Sequence, residues 1–518
     1  MICENNKINI SDYFANKEKM DYITEKYIQF SKYLQIEDTN YMPFIYYYFR
    51  HKVGAVIYYI DKLDKSFNNS DEIINDLKKI INEEKLIVNK NPLQKTLFKG
   101  NLVLNYIMHF FAPKKTKNKT LFVTSNRFWN QHAKKDIEYG NLQEFYENKS
   151  YLMVNHSLYY QNIFNQFKYI ISHKDMLFPE AYYDLKLIKE TCKKVKQFKI
   201  HWTKIRTKKS LKQIFNYKNI NYFPIIDKQI QFISNTSLYY IIGSQLAIKK
   251  LLKKNKFEKV FITNEENLFN KAIIQNKNLS TVISISHEYI YPGCIHSFKK
   301  VAPKKIRFLP DLKLVWNEYS KNILLTKCGY EGKNIEVIGN PKFAELKKIH
   351  TKKKESKNYK ILFISENKIE LLNFLKKLPY KEGIKVYYKP RSKEDYEKTK
   401  KYLNNTKVIV TPWKINLYSF INNVDLVVAT VSTVILEAIM LNKPVVIFNP
   451  NIQLPDMPHL TKKIFFFVSN SKELMEIVDK LRYEPYLRQY LAKYQNFIKK
   501  YVCINISQKK IKRILKNV

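Results

Sequence analysis

The chain has 518 residues, enough to bury a large core and to divide into two or three domains. Lys and Arg number 91 against 46 Asp and Glu, a formal charge of +45; a general bias toward Lys, Asn, Ile and Tyr would enrich Glu as well, so the excess points to anionic partners such as nucleic acid, an anionic membrane face or phosphorylated substrates. Cys3, Cys192, Cys294, Cys328 and Cys503 are scattered, with no Cys-x-x-Cys pair, which argues against a disulfide framework or a zinc site and for reduced thiols in a cytoplasmic protein.

From the amino end, "MICENNKINISDYF" has no apolar h-region, so no signal peptide is expected. Residues 1–118 read as a mostly helical region without internal repeats. Two apolar stretches within it fall short of a membrane span: "YMPFIYYYFRHKVGAVIYYI" is cut by Arg50-His51-Lys52, and "LVLNYIMHFF" is too short. Both read as core helices, with a place on a membrane surface as the alternative.

Residues 119–345 carry an α/β pattern. Strand candidates are "TLFVTS" (120–125), "YLMVNH" (151–156), "KVFITN" (259–264), "TVISIS" (281–286) and "LKLVW" (312–316), with a long helical insert between 158 and 255. Then "EVIGNPKFAELKKIHTKKKESKNYK" turns from strand to a polar Lys-rich run, and 346–358 reads as a linker. Residues 359–490 are the most regular part: "KILFISE", "IKVYYK", "KVIVT", "DLVVA" and "PVVIF" alternate with helical segments, as in a parallel sheet covered on both faces. The end, 491–518, closing on "QKKIKRILKNV", reads as a basic amphipathic helix. The expected fold class is α/β, two Rossmann-like domains facing a cleft at the carboxyl ends of their strands.

With nine glycines and no G-x-G-x-x-G or Walker loop, a phosphate would need another cradle. "VVATVSTVILEAIMLNKPVVIFNP" (427–450) supplies one. Asp425, Glu437 and Lys443 make a membrane span costly, whereas strand, turn, helix, turn, strand fits: Val427 to Ala429 is β-branched, Val434 to Leu441 suits a buried helix, and Pro444 cannot continue it. Ser432 and Thr433 then stand at a helix mouth, whose N–H groups and positive dipole end suit an anion. The plainer role is a helix cap. Glu437, four residues after Thr433 on the same face, aims its carboxylate back toward that mouth, where ribose hydroxyls or a local pairing would satisfy it.

"NNVDLVVATVSTVILEAIMLNKPVVIFN" resembles the donor-nucleotide element of GT-B glycosyltransferases, particularly the surface-carbohydrate and capsule enzymes. "STVISISHEYIYPG", followed by "LPDLKLVWNEYSKNILLTKCGYEGKNIEVIGNPKF", looks like the end of that family's N-terminal domain, with a strand, a His-containing loop, a Pro-Asp strand and a Gly-Asn-Pro turn. The resemblance covers roughly residues 256–450 in order and spacing. It implies the GT-B fold, donor phosphate at Thr430, Ser432 and Thr433 and ribose at Glu437. It adds the Gly-Asn-Pro turn, Gly339 and Asn340, to the donor site. Lys389 and Arg391 of "YYKPRS" fall where related enzymes set a Lys-Pro-His-Pro or His-Pro element against the donor phosphates; Arg391 replaces the histidine, and a guanidinium still binds phosphate. For both, a solvated basic loop is the plainer reading.

His287 matches the histidine of the family's Gln-His-Gly loop, within Ser286-His287-Glu288 here, and is the candidate general base; Glu265, Glu266 and Glu288 are the alternatives. No Asp-x-Asp pair occurs in the chain, so the expected enzyme is metal-independent, with no cofactor beyond its nucleotide-sugar donor. The expected function is transfer of a sugar from that donor to a glycan or lipid-linked acceptor at the anionic inner face of the cell membrane. Within the fold, a glycerol- or ribitol-phosphate transferase of the teichoic-acid type or a CMP-sugar transferase would fit; an epimerase would isomerise its donor without an acceptor. A nucleic-acid-binding protein would bind DNA or RNA with steep salt dependence, yet no such motif is visible, and nucleic acid is not the expected partner.

Overall fold

Runs of β-branched and aromatic residues form twelve strands in two parallel sheets, and because helices cover both faces these strands are apolar along most of their length. The computed structural model describes residues 17–36, 39–41, 53, 56–57, 60, 92–113, 116–125, 129–130, 133–154, 169–263, 265, 267–286, 290, 308–341, 343–346, 357–364, 369–379, 381–430, 432–449, 460–501 and 508–517.

The first sheet comprises β1 (Thr120–Thr124), β2 (Lys149–Met153), β3 (Lys259–Ile262), β4 (Thr281–Ile285), β5 (Leu312–Val315) and β6 (Ile335–Val337), in spatial order β6-β5-β4-β3-β1-β2. Every pairing in it is parallel. Around it lie α1 (Lys17–Ser31), α2 (Pro92–Phe111), the insert helices α3 (Leu185–Ile205), α4 (Phe223–Asn235) and α5 (Leu238–Asn255), then α6 (Leu268–Gln275) and α7 (Glu318–Lys327). Helix α5 is apolar around most of its circumference, as a helix packed on several sides must be, and α2, α3, α4 and α6 all touch it.

The second sheet comprises β7 (Tyr359–Ile364), β8 (Ile384–Lys389), β9 (Ile409–Val410), β10 (Leu426–Ala429), β11 (Val445–Phe448) and β12 (Phe466–Val468), again all parallel, in order β9-β8-β7-β10-β11-β12. Its helices are α8 (Phe343–Leu346), α9 (Ile369–Lys376), α10 (Lys393–Tyr402), α11 (Leu417–Asn422), α12 (Val434–Met440), α13 (Ser471–Arg482) and α14 (Glu484–Tyr501). In both sheets the strand order reverses beside the first strand, β1 or β7, the doubly wound arrangement that makes each half Rossmann-like. The α/β class with two Rossmann-like halves expected from the sequence is the architecture found, with added helices before β1 and between β2 and β3.

Each sheet has its own core, and the chain crosses between them twice. Trp316, Phe343 and Leu346, although they precede β7, pack in the second core, where Trp316 and Phe343 lie 5.7 Å apart. After α14, the last helix, α15 (Gln508–Lys516), returns Ile511 and Leu515 to the first core. A single basic helix over 491–518 is therefore not what forms: α14 ends at Tyr501 and α15 is separate. The strand Phe466–Val468 was not anticipated. Most of 1–118, the Lys-rich run 347–356 and most of "FKKVAPKKIRF" lie outside the described residues.

Candidate functional site

The carboxyl edge of the second sheet is aligned by register. Ile364, the last residue of β7, pairs with Lys389 at the end of β8 on one side and with Ala429 at the end of β10 on the other. Lys389 and Ala429 thus end their strands at one level, two strand spacings or about 10 Å apart. The chain leaves Ala429 through buried Thr430 and enters α12 at half-buried Ser432 and Thr433.

Thr433 occupies the N-cap position of α12 in a helical conformation, and its side chain makes no capping bond. Ser432 does little more, since the Val434 N–H lies 3.4 Å from its Oγ. Ordinary capping, the plainer role for this pair, is thus almost absent. Glu437, one turn on, is 3% exposed, and its N–H donates to the Thr433 carbonyl at 3.3 Å.

Lys389 is half-buried, and burial pushes its pKa below the usual lysine value. Its Nζ donates to the carbonyls of Pro390 at 3.0 Å and Trp413 at 3.4 Å. No carboxylate among the described residues forms an ion pair with it. A partly desolvated ammonium held by two carbonyls keeps a donor and a net charge for an anion. Arg391, two residues on, is exposed. Gly339, two residues after the end of β6, adopts φ +73°, a left-handed turn that favours glycine, and the Asn340 carbonyl accepts from the Phe343 N–H at 3.0 Å, starting α8. Helix α8 touches α12, so the Gly-Asn-Pro turn leads toward α12.

The first sheet holds a different set. Glu265, three residues beyond β3, is fully enclosed: Lys313 Nζ of β5 lies 2.6 Å from its Oε1, with side-chain exposures of 3% and 0%, and the Tyr330 hydroxyl donates to its Oε2. Lys313 also donates to Ser284 Oγ at 3.1 Å. A carboxylate so enclosed is closed to an acceptor hydroxyl in this conformation. Lys313 was missed from the sequence, although a lone lysine inside the apolar strand "LKLV" is itself a signal, because a parallel sheet buries both faces of such a strand and the charge needs a partner. His287, Glu288 and Glu266 lie outside the described residues. The anchor before them is clear: Ser286 donates its N–H to Leu314 O at 2.9 Å and accepts at its carbonyl from Trp316 Nε1 at 2.6 Å.

Two surface concavities, about 490 Å³ beside Trp129 and His173 and about 590 Å³ beside Tyr483 and Tyr486, are lined by none of these residues. Register, burial and charge, rather than an enclosed cavity, mark the second sheet's edge.

No family model matches the chain. The uncharacterized protein MJ1060 of Methanocaldococcus jannaschii is 27% identical over 432 residues, covering 76% of this chain and 71% of that protein. Among solved structures, HepE of Anabaena in complex with UDP and glucose is 12% identical, covering 77% of this chain and 100% of its own, with a TM-score of 0.43. The wall teichoic acid polymerase TagF is 13% identical over 82% of this chain and 96% of its own, with a TM-score of 0.43. A UDP-GlcNAc 2-epimerase from Neisseria meningitidis, bound to UDP-GlcNAc, is 14% identical over 77% of this chain and 98% of its own, with a TM-score of 0.44. At such identities no residue role passes from these proteins to this chain.

Proposed function

We propose that the chain is a glycosyltransferase that uses a nucleotide-activated sugar, without a metal, to extend a glycan or lipid-linked acceptor at the inner face of the cell membrane. The observation that carries this reading is Lys389, a partly desolvated ammonium whose partners among the described residues are carbonyls, level with Ala429, from which the chain runs on to Ser432 and Thr433. In this reading Lys389, Arg391, Thr430, Ser432 and Thr433 take the donor phosphates, Gly339 and Asn340 border them, and Glu437 accepts from the ribose hydroxyls.

His287 takes the proton of the acceptor hydroxyl as its oxygen bonds to the anomeric carbon, and the bond from that carbon to the phosphate oxygen breaks. The nucleotide leaves with the electron pair, and the charge that develops is stabilised by Lys389 and the helix mouth. Glu288 and Glu266 are the next candidates for the base.

The test has two stages. Thermal shift across uridine, cytidine and guanosine sugar nucleotides identifies the donor, since a ligand of the native state raises its melting temperature. Single-turnover transfer is then compared between the parent and His287→Ala. A lost base lowers transfer by about two to four orders of magnitude with donor binding intact. Near-normal transfer in the folded variant removes His287 from the role, and isomerised donor without acceptor identifies an epimerase instead.

A further inference from the structure

Three residues just after β5 join the two domains. Trp316 directly follows that strand of the first sheet, yet its ring is buried in the second core, 5.7 Å from the ring of Phe343 in α8. Asn317 caps α7 by accepting from the Ser320 N–H at 2.7 Å, and its Nδ2 donates to the carbonyl of Tyr501, the last residue of α14. The Tyr319 ring lies 5.5 Å from that of Tyr501.

Trp316 also reaches back into the first sheet. Its Nε1 donates to the carbonyl of Ser286, the residue after β4, at 2.6 Å, and the Ser286 N–H donates to Leu314 O at 2.9 Å. Both polar groups of the Ser286 backbone are thus held by β5 and the residue that follows it. The Ser286 carbonyl belongs to the peptide unit that joins His287. A peptide unit is planar, so a hold on its oxygen sets the direction in which the chain leaves β4. Trp316 and Ser286 are both buried, and a buried carbonyl that loses its donor bears the full cost of its desolvation.

The contacts continue on the other side of the indole. Phe343 opens α8, and α8 touches α12, the helix that Ser432 and Thr433 precede. We propose that Trp316 is a positioning residue, which ties the start of the segment bearing His287 to α8 and α12 and so keeps the base and the donor phosphates at one spacing. The roles of His287 and α12 in this proposal rest on the transferase reading above; the hold on Ser286 does not. Phenylalanine would fill the same space in the second core without an N–H, so Trp316→Phe separates packing from the hold.

Two measurements on that variant test the proposal. Hydrogen exchange read by mass spectrometry, on the full chain without ligand, should show the peptide containing Ser286 exchanging about three- to tenfold faster, the value of one hydrogen bond, with β7 and β10 unchanged. Single-turnover transfer, with whichever of the uridine, cytidine and guanosine sugar nucleotides the thermal-shift screen selects, should fall about tenfold at unchanged donor affinity. In the His287→Ala background the same substitution should cost nothing more, because a residue that acts through His287 has nothing left to position. Unchanged exchange at Ser286, faster exchange throughout the chain, normal transfer, or an undiminished further loss on top of His287→Ala each overturns the proposal. A chain that shows the local change in exchange but binds none of these nucleotides overturns the transferase reading, and the positioning role with it, while the hold on Ser286 stands.

Discussion

The two sheets use their lysines in opposite ways. In the first, Lys313 is sealed with Glu265, Tyr330 and Ser284, and its charge is answered inside the fold. In the second, among the described residues, Lys389 has only the carbonyls of Pro390 and Trp413, and the hydroxyls of Ser432 and Thr433 make at most one long bond to the backbone. A charge matched internally holds architecture together; one with neutral partners at a strand's carboxyl end suits an anion from outside. Substitutions that affect folding should therefore cluster in the first domain, and those that affect ligand binding in the second.

The largest effect is expected at the sealed pair. Lys313→Met leaves the Glu265 carboxylate buried with Tyr330 and without its cation, a loss of about 3–5 kcal/mol. Adding Glu265→Gln removes the stranded charge while keeping an acceptor for Tyr330, so the double variant should regain most of that loss. Urea denaturation of both measures the difference. Equal stabilities for the single and double variants would mean the pair is not coupled as its geometry implies.

A pH dependence should come from the same domain. Burial pushes the Asp136 carboxyl up to about 7, against the hydrogen bonds from Thr124 Oγ1 and the Glu138 N–H, and pushes Glu180 up to about 7 as well. A carboxyl whose folded pKa is raised contributes stability that is fully present below its unfolded pKa near 4 and is lost as pH rises through about 7. Each such group contributes at most about 1.4 kcal/mol per pH unit within that window. Denaturation midpoints measured from pH 5 to 8 should fall with rising pH, and Asp136→Asn should remove part of the slope, with Glu180 keeping its share. An unchanged slope in the variant would count against a protonated Asp136.

Much of the fold was legible in the sequence, for a local reason. Strand identities came through because parallel strands covered on both faces are short β-branched runs. The Lys313–Glu265 pair joins a residue inside β5 to one in the connection after β3, and neither partner's local sequence names the other. The carbonyls that hold Lys389 are backbone atoms, which no side-chain pattern reports. Helix α15 was read correctly as basic and amphipathic, but which surface takes its apolar side is a long-range outcome, and it proved to be the first core.

In the second domain the effects should appear in ligand affinity. Glu437→Gln keeps size and removes the charge that would strengthen its acceptance of ribose hydroxyls, so donor affinity should fall by about 1.5–3 kcal/mol by calorimetry. Unchanged affinity in a folded variant would leave Glu437 a structural role only.

The smallest effect is the most discriminating, because it separates a cap from a ligand contact at one hydroxyl. If Thr433 served as an ordinary N-cap, replacing its hydroxyl by a methyl in Thr433→Val would cost about 1 kcal/mol of stability whether or not a donor is present. Its side chain makes no capping bond, so the variant should instead melt within about 0.5 kcal/mol of the parent. Its affinity for the nucleotide sugar should fall by about 0.5–1.5 kcal/mol, the net value of one hydrogen bond. Melting and calorimetry on the same preparation give both numbers. A loss of stability with unchanged affinity would return the helix mouth to a purely structural role and leave Lys389 alone as the candidate phosphate contact.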